Sequence, residues 1–160
     1  MRNILKDYPQ PKTPRYLKNN FRSFKDTLIA SYRSKEFYNG SRSTGYGGYK
    51  HDGRWLNVAH NCYNLYKLRD NSKILHINCD YGFLLHDLKK VNKNFKLFGT
   101  ETSKYAIKNS MNDIKNNVSY IRPVDIKFKK NYFDLVIALG VVYALNLPDA
   151  MILLKNISHF

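Results

Sequence analysis

The chain has 160 residues, 43% of them hydrophobic and 14% aromatic, which is enough for one domain with a buried core and too apolar for a disordered chain. Its 27 Lys and Arg against 12 Asp and Glu give a net charge of +15, a balance that suits anionic partners such as nucleic acid. The basic residues are spread along the chain and accompanied by abundant asparagine, so compositional drift accounts for most of the charge, and a nucleic-acid partner is the lesser option.

Residues 1–36 read as a basic N-terminal arm, with Pro9, Pro11 and Pro14 keeping its first part extended and a short helix expected over Thr27–Phe37. Residues 37–56 are rich in glycine and tyrosine, with Gly40, Gly45, Gly47, Gly48 and Gly53 among Tyr38, Tyr46, Tyr49 and Trp55. Such a stretch is either a flexible loop packed on the surface or a lid whose rings cover a ligand. Asn57–Arg69 has helical spacing, with Val58, Cys62, Leu65 and Leu68 on one face and His60 just off it, at the surface.

Residues 73–101 form the centre of the reading. Lys73–Asn78 is a short apolar run of the kind found in buried parallel strands. A polar break ends at Gly82; Phe83, Leu84, Leu88 and Val91 then recur at helical spacing, and a second strand follows from Phe95 to Gly99, reaching Glu101. In such a βαβ unit the first loop lies at a helix N-terminus, where anions bind. A carboxylate about 20 residues on, at the tip of the second strand, is placed to accept ribose hydroxyls.

Beyond it, Ser103 caps a helix to Met111, Val118–Ile121 and Tyr132–Leu139 are strands, and Pro148 and Asp149 open a last helix with Ile152, Leu153 and Ile157 toward the sheet. Alternating strands and helices predict an α/β, mainly parallel Rossmann-like sheet covered on both faces, with the ligand crevice at the strand tips. Cys62 and Cys79 give no disulfide framework, and no CxxC or Cys/His cluster offers a metal site. Both read as reduced thiols in a cytoplasmic protein, and no apolar run reaches the length of a membrane span.

Taken in order, these motifs resemble the class I S-adenosylmethionine-dependent methyltransferases from about Phe37 to Ile157. The resemblance is strongest to a bacterial branch in which a YGYGGY…DGRW segment precedes the core. That segment corresponds here to Gly45-Tyr46-Gly47-Gly48-Tyr49 and Asp52-Gly53-Arg54-Trp55. Cys79, Gly82, Phe83 and Leu84 fit the family's GC-x-x-GFL pattern, Glu101 falls at its ribose-binding acid, and Phe133-Asp134 matches the start of its fourth strand. The resemblance implies S-adenosylmethionine as cofactor and transfer of a methyl group to an acceptor that the sequence does not identify. It implies Tyr49, Trp55, His76, Asn78, Cys79, Asp80, Gly82, Glu101, Thr102 and Asp125 at the cofactor. Tyr143, just past the fourth strand, becomes a candidate to orient the acceptor or act as a base.

Residues 57–160 would be the core, without the fifth strand and the antiparallel pair with which the family's sheet continues. In the family's strand order the fourth strand would then be an open edge, a place for self-association. The family's D-x-G-x-G-x-G loop becomes His76, Asn78, Asp80 and Gly82, which removes an acid and two glycines and adds a carboxylate near the ligand. These departures keep two alternatives open: a non-catalytic relative of the same fold, and a basic nucleic-acid-binding protein whose affinity falls with salt.

Overall fold

The structure, a computed structural model, describes residues 3–10 and 21–158. In chain order the helices and strands are α1 (Phe24–Ser31), α2 (Lys35–Asn39), α3 (Leu56–Leu65), β1 (Lys73–Ile77), α4 (Phe83–Val91), β2 (Lys96–Glu101), α5 (Lys104–Lys108), β3 (Val118–Tyr120), β4 (Leu135–Ile137) and α6 (Leu147–Ile157). The four strands are parallel and lie in the order β3-β2-β1-β4, with His76 of β1 level with Gly99 of β2 and Ile137 of β4. Helix α4 crosses from β1 to β2, so Asn78 and Glu101 emerge at the same end of the sheet. This is the expected Rossmann-like α/β architecture.

Side chains from both faces of the sheet are buried. On one face Ile74, Leu97 and Leu135 pack with Val58 and Cys62 of α3 and Leu84 and Leu88 of α4. On the other, Leu75 and Ile77 meet Phe133, Val141 and Leu153 of α6. Of the three residues expected to face the sheet from α6, Leu153 is buried and Ile157 packs against that cluster, whereas Ile152 is exposed. Among the described residues no helix is long and apolar enough to cross a membrane.

Several boundaries differ from expectation for identifiable reasons. The single helix expected over Thr27–Phe37 is two. Ser23 and Asp26 form a capping box that starts α1 early, and the chain then turns at Arg33 (φ 47°) before α2. Helix α3 stops at Leu65 because Lys67 adopts φ 51°. Leu68 N–H then bonds the Tyr63 carbonyl at 3.1 Å, closing a Schellman turn without glycine. Strand β4 is shorter than Tyr132–Leu139 because β1 is its partner and leaves the sheet after Ile77, at Asn78 (φ 52°). Residues 132 and 133 instead join an aromatic group with Phe98 and Phe128. Ser103 caps α5 as expected, accepting from Ala106 N–H. The first residues also pack on the core: Ile4 and Tyr8 lie against the α3 side, and Asn61 donates to the Ile4 carbonyl at 3.0 Å.

Candidate functional site

The loop from β1 to α4 keeps a glycine-type path with two side chains in it. Asn78, Asp80 (φ 53°) and Gly82 (φ 73°) are all left-handed, a conformation that costs a non-glycine residue roughly 1–2 kcal/mol. At Gly82 space is also short, since a Cβ would stand 2.3 Å from Ile114 Cδ1. The loop is tied to the tip of β2: Cys79 N–H donates to the Thr100 carbonyl at 3.0 Å and Asp80 N–H to Glu101 Oε2 at 2.8 Å.

Glu101 is fully buried and accepts further N–H bonds from Thr102 (2.8 Å) and Ser103 (2.9 Å). Arg33 completes its surroundings. Its guanidinium lies 3.3 Å from each Glu101 oxygen and 2.6 Å from Asp80 Oδ1. The strained turn that projects Arg33 is held in place by Ser103 Oγ, which donates to the Arg33 carbonyl at 2.6 Å. Burial works against the Arg33 charge, but Asp80 and Glu101 more than offset it and its pKa is raised.

Asp80 also receives three phenol hydroxyls, from Tyr38 at 2.8 Å, Tyr46 at 3.2 Å and Tyr49 at 3.4 Å. Burial lifts the Asp80 carboxyl above its usual range, although Arg33 pulls it down. Burial and the Asp80 charge push all three phenols up, so they remain protonated donors. Tyr46 stacks on Tyr49 at 4.2 Å and Tyr49 on Phe83 at 4.7 Å, which seats the Tyr/Gly-rich segment over the loop.

Beside this cluster, at the tips of β1 and β4, lies a cleft of about 590 Å³. His76 and Asn78 form part of its wall, while His76 Nδ1 and Asn78 Oδ1 are enclosed behind it without a hydrogen-bond partner. Burial lowers the His76 pKa to about 4, so its imidazole is neutral at pH 7. Arg42 and Lys50 line the same cleft and make it cationic, while Arg54 is paired with Asp52.

Of the residues singled out from the sequence, Tyr49, Trp55, His76, Asn78, Cys79, Asp80 and Tyr143 line this one cleft. Tyr143 is 87% exposed, its ring beside Gly140, so it stands at the rim and is not packed away. Gly82 sits behind the wall as the N-cap of α4. Glu101 and Thr102 lie at the tip of β2, with Arg33 against the Glu101 carboxylate. Asp125 lies elsewhere, exposed and paired with Arg122 at 2.6 Å. The sequence reading missed Arg33, Tyr38 and Tyr46 as partners of the loop acid. The tyrosines were visible as a composition bias, but nothing around Arg33 marks it.

No family model matches the sequence, and no curated protein matches it either. Solved structures do match. A Methanococcus maripaludis protein described as an S-adenosyl-L-methionine-dependent methyltransferase shares 16% identity over 92% of this chain and 63% of its own, with a TM-score of 0.53. The glycopeptide N-methyltransferase MtfA, complexed with sinefungin, shares 14% identity over 71% of this chain and 48% of its own, with a TM-score of 0.52. A Haemonchus contortus phosphoethanolamine N-methyltransferase, bound to phosphomonomethylethanolamine and S-adenosylhomocysteine, shares 16% identity over 92% of this chain and 34% of its own, with a TM-score of 0.53. The chain thus spans about half of MtfA or less of the nematode enzyme, and under two thirds of the archaeal protein. At this identity the likeness is one of fold: the chain has the Rossmann-like fold of S-adenosylmethionine-dependent methyltransferases.

Proposed function

We propose that this is a methyltransferase-like protein whose cleft takes an S-adenosylmethionine-type ligand, and that Arg33 must release Glu101 when the ligand enters. The observation that carries the reading is the cleft of about 590 Å³ at the strand tips of this fold, walled by His76, Asn78, Arg42 and the rings of Tyr49, Trp55 and Phe83. An aromatic-walled cleft with a few polar side chains supplies contact area from its rings and orientation from its polar groups.

The fit is uneven along the ligand. At the amino-acid end, Asn78 and the neutral His76 offer polar atoms, and Arg42 offers a cation for a carboxylate. The aromatic wall of Tyr49, Trp55 and Phe83 suits the sulfonium. At the nucleoside end Glu101 stands where a ribose acid belongs, but both its oxygens are engaged by Arg33 and by backbone N–H groups. The ligand would supply a methyl group on a positively charged sulfur. The chain's contribution is to hold that group, exclude water and orient an acceptor at the rim near Tyr143, where positioning alone is worth ~7–11 kcal/mol.

The Arg33–Asp80–Glu101 cluster favours a second reading, a non-catalytic relative in which Arg33 keeps the nucleoside crevice closed. Calorimetric titration of wild type, Arg33→Ala and Glu101→Ala with S-adenosylmethionine and S-adenosylhomocysteine separates the two. Binding by wild type that is lost in Glu101→Ala supports the first; binding by Arg33→Ala alone supports the second. No binding by any of the three removes both.

A further inference from the structure

Beside Phe83, whose ring lies 5.3 Å from that of His51, a loop and a helix distant in sequence bring side chains together. His51 comes from the Tyr/Gly-rich segment, and His86 and Asp87 come from α4. One ligand atom from each lies within 4.8 Å of the others. His51 Nε2 is 3.0 Å from both oxygens of Asp87, and the two imidazoles meet edge-on with centroids 5.0 Å apart. Asp87 is fully buried, and both histidines are half-buried.

We infer that His51, His86 and Asp87 form a binding site for a divalent transition metal, with Zn²⁺ the best match. Two imidazoles and one carboxylate are a donor set that zinc accepts, with a fourth position left to solvent. Ligand atoms around a tetrahedral zinc stand roughly 3.3 Å apart, given bond lengths near 2.0 Å. The His51–Asp87 separation already fits, and with all three ligand atoms within 4.8 Å of one another His86 has to close by at most about 1.5 Å. His86 is prepared for this. Its Nδ1 is 2.7 Å from Asp113 Oδ1, the carboxylate–histidine arrangement that fixes the proton on Nδ1 and leaves Nε2 as the nitrogen with a lone pair for a metal. The cation now beside Asp87 is Lys90, whose Nζ is 3.4 Å away on a half-exposed side chain free to swing into water.

An ion here would act on the cleft. His51 lies between Lys50 and Asp52, both of which line it. Metal occupancy would pin that part of the rim to α4, so a site outside the cleft would control how readily the rim opens. The inference does not depend on the identity of the ligand in the cleft.

The test is titration of the full chain with Zn²⁺ by calorimetry and by thermal melting, repeated with His51→Ala, His86→Ala and Asp113→Asn. The expected result is one Zn²⁺ per chain, a melting temperature that rises with Zn²⁺, and a loss of affinity of at least ~100-fold in each histidine variant. Asp113→Asn, which removes only the orienting carboxylate, should bind roughly 10–100-fold more weakly while melting as wild type does without metal. Hydrogen exchange of residues 48–54 should slow on Zn²⁺ addition in wild type but not in His86→Ala. Absence of binding, or binding that both histidine variants retain, overturns the inference.

Discussion

Replacing Arg33 with alanine should weaken the fold and strengthen the binding of an S-adenosyl ligand. The guanidinium contacts two carboxylates, Asp80 at 2.6 Å and Glu101 at 3.3 Å. Removing one partner of a fully buried ion pair costs about 3–5 kcal/mol. The cost here is smaller, because the Arg33 side chain is 28% exposed and Glu101 keeps three backbone N–H donors. A loss of about 2–3 kcal/mol in urea unfolding is expected. If ligand entry has to displace Arg33, the wild type bears much of that cost with each binding event, and the variant does not. Relief of about 2 kcal/mol corresponds to roughly 30-fold tighter binding. Calorimetry with S-adenosylhomocysteine reads the change directly. Equal or weaker binding by Arg33→Ala would refute the view that Arg33 competes with the ligand for Glu101.

Acid should destabilise the protein through His76. Its folded pKa of about 4 lies below the unfolded value of 6.5, so the unfolded chain takes up the proton first and stability falls as pH drops from about 6.5 toward 4. At pH 5 that amounts to about 2 kcal/mol, and urea unfolding of wild type beside His76→Leu should show this difference in pH dependence; parallel profiles would place the titration elsewhere. Gly82→Ala should cost about 2–4 kcal/mol, combining left-handed strain with the clash on Ile114 Cδ1. Adding Ile114→Val, which removes that methyl group, should recover the steric part but not the strain. A double mutant no more stable than Gly82→Ala alone would count against the clash.

The parts of this structure legible in the sequence are those governed by local pattern. The apolar run of β1, the helical spacing after Gly82 and the strand ending at Glu101 together define the crossover unit, because alternation and periodicity follow from burial on a sheet. Ser103 was legible as a cap because its chemistry is local. What escaped depends on distant pairings. Arg33 reaches across 47 residues to Asp80 and 68 to Glu101 from a turn with no glycine to announce it. The His51–His86–Asp87 cluster joins a loop to a helix with no metal-type spacing between them. At Asp80 the sequence showed a harsh substitution in a glycine loop. Only the fold reveals that the backbone path is kept and that the new charge is held by Arg33 and three tyrosines.

Trp55 is the single tryptophan of the chain and lines the cleft, so its fluorescence reports occupancy without labels. Titration with S-adenosylhomocysteine should give a saturable change in Trp55 emission in wild type, tighter in Arg33→Ala and absent in Glu101→Ala. No change in wild type and Arg33→Ala alike, up to millimolar ligand, would contradict the claim that this cleft receives an S-adenosyl group.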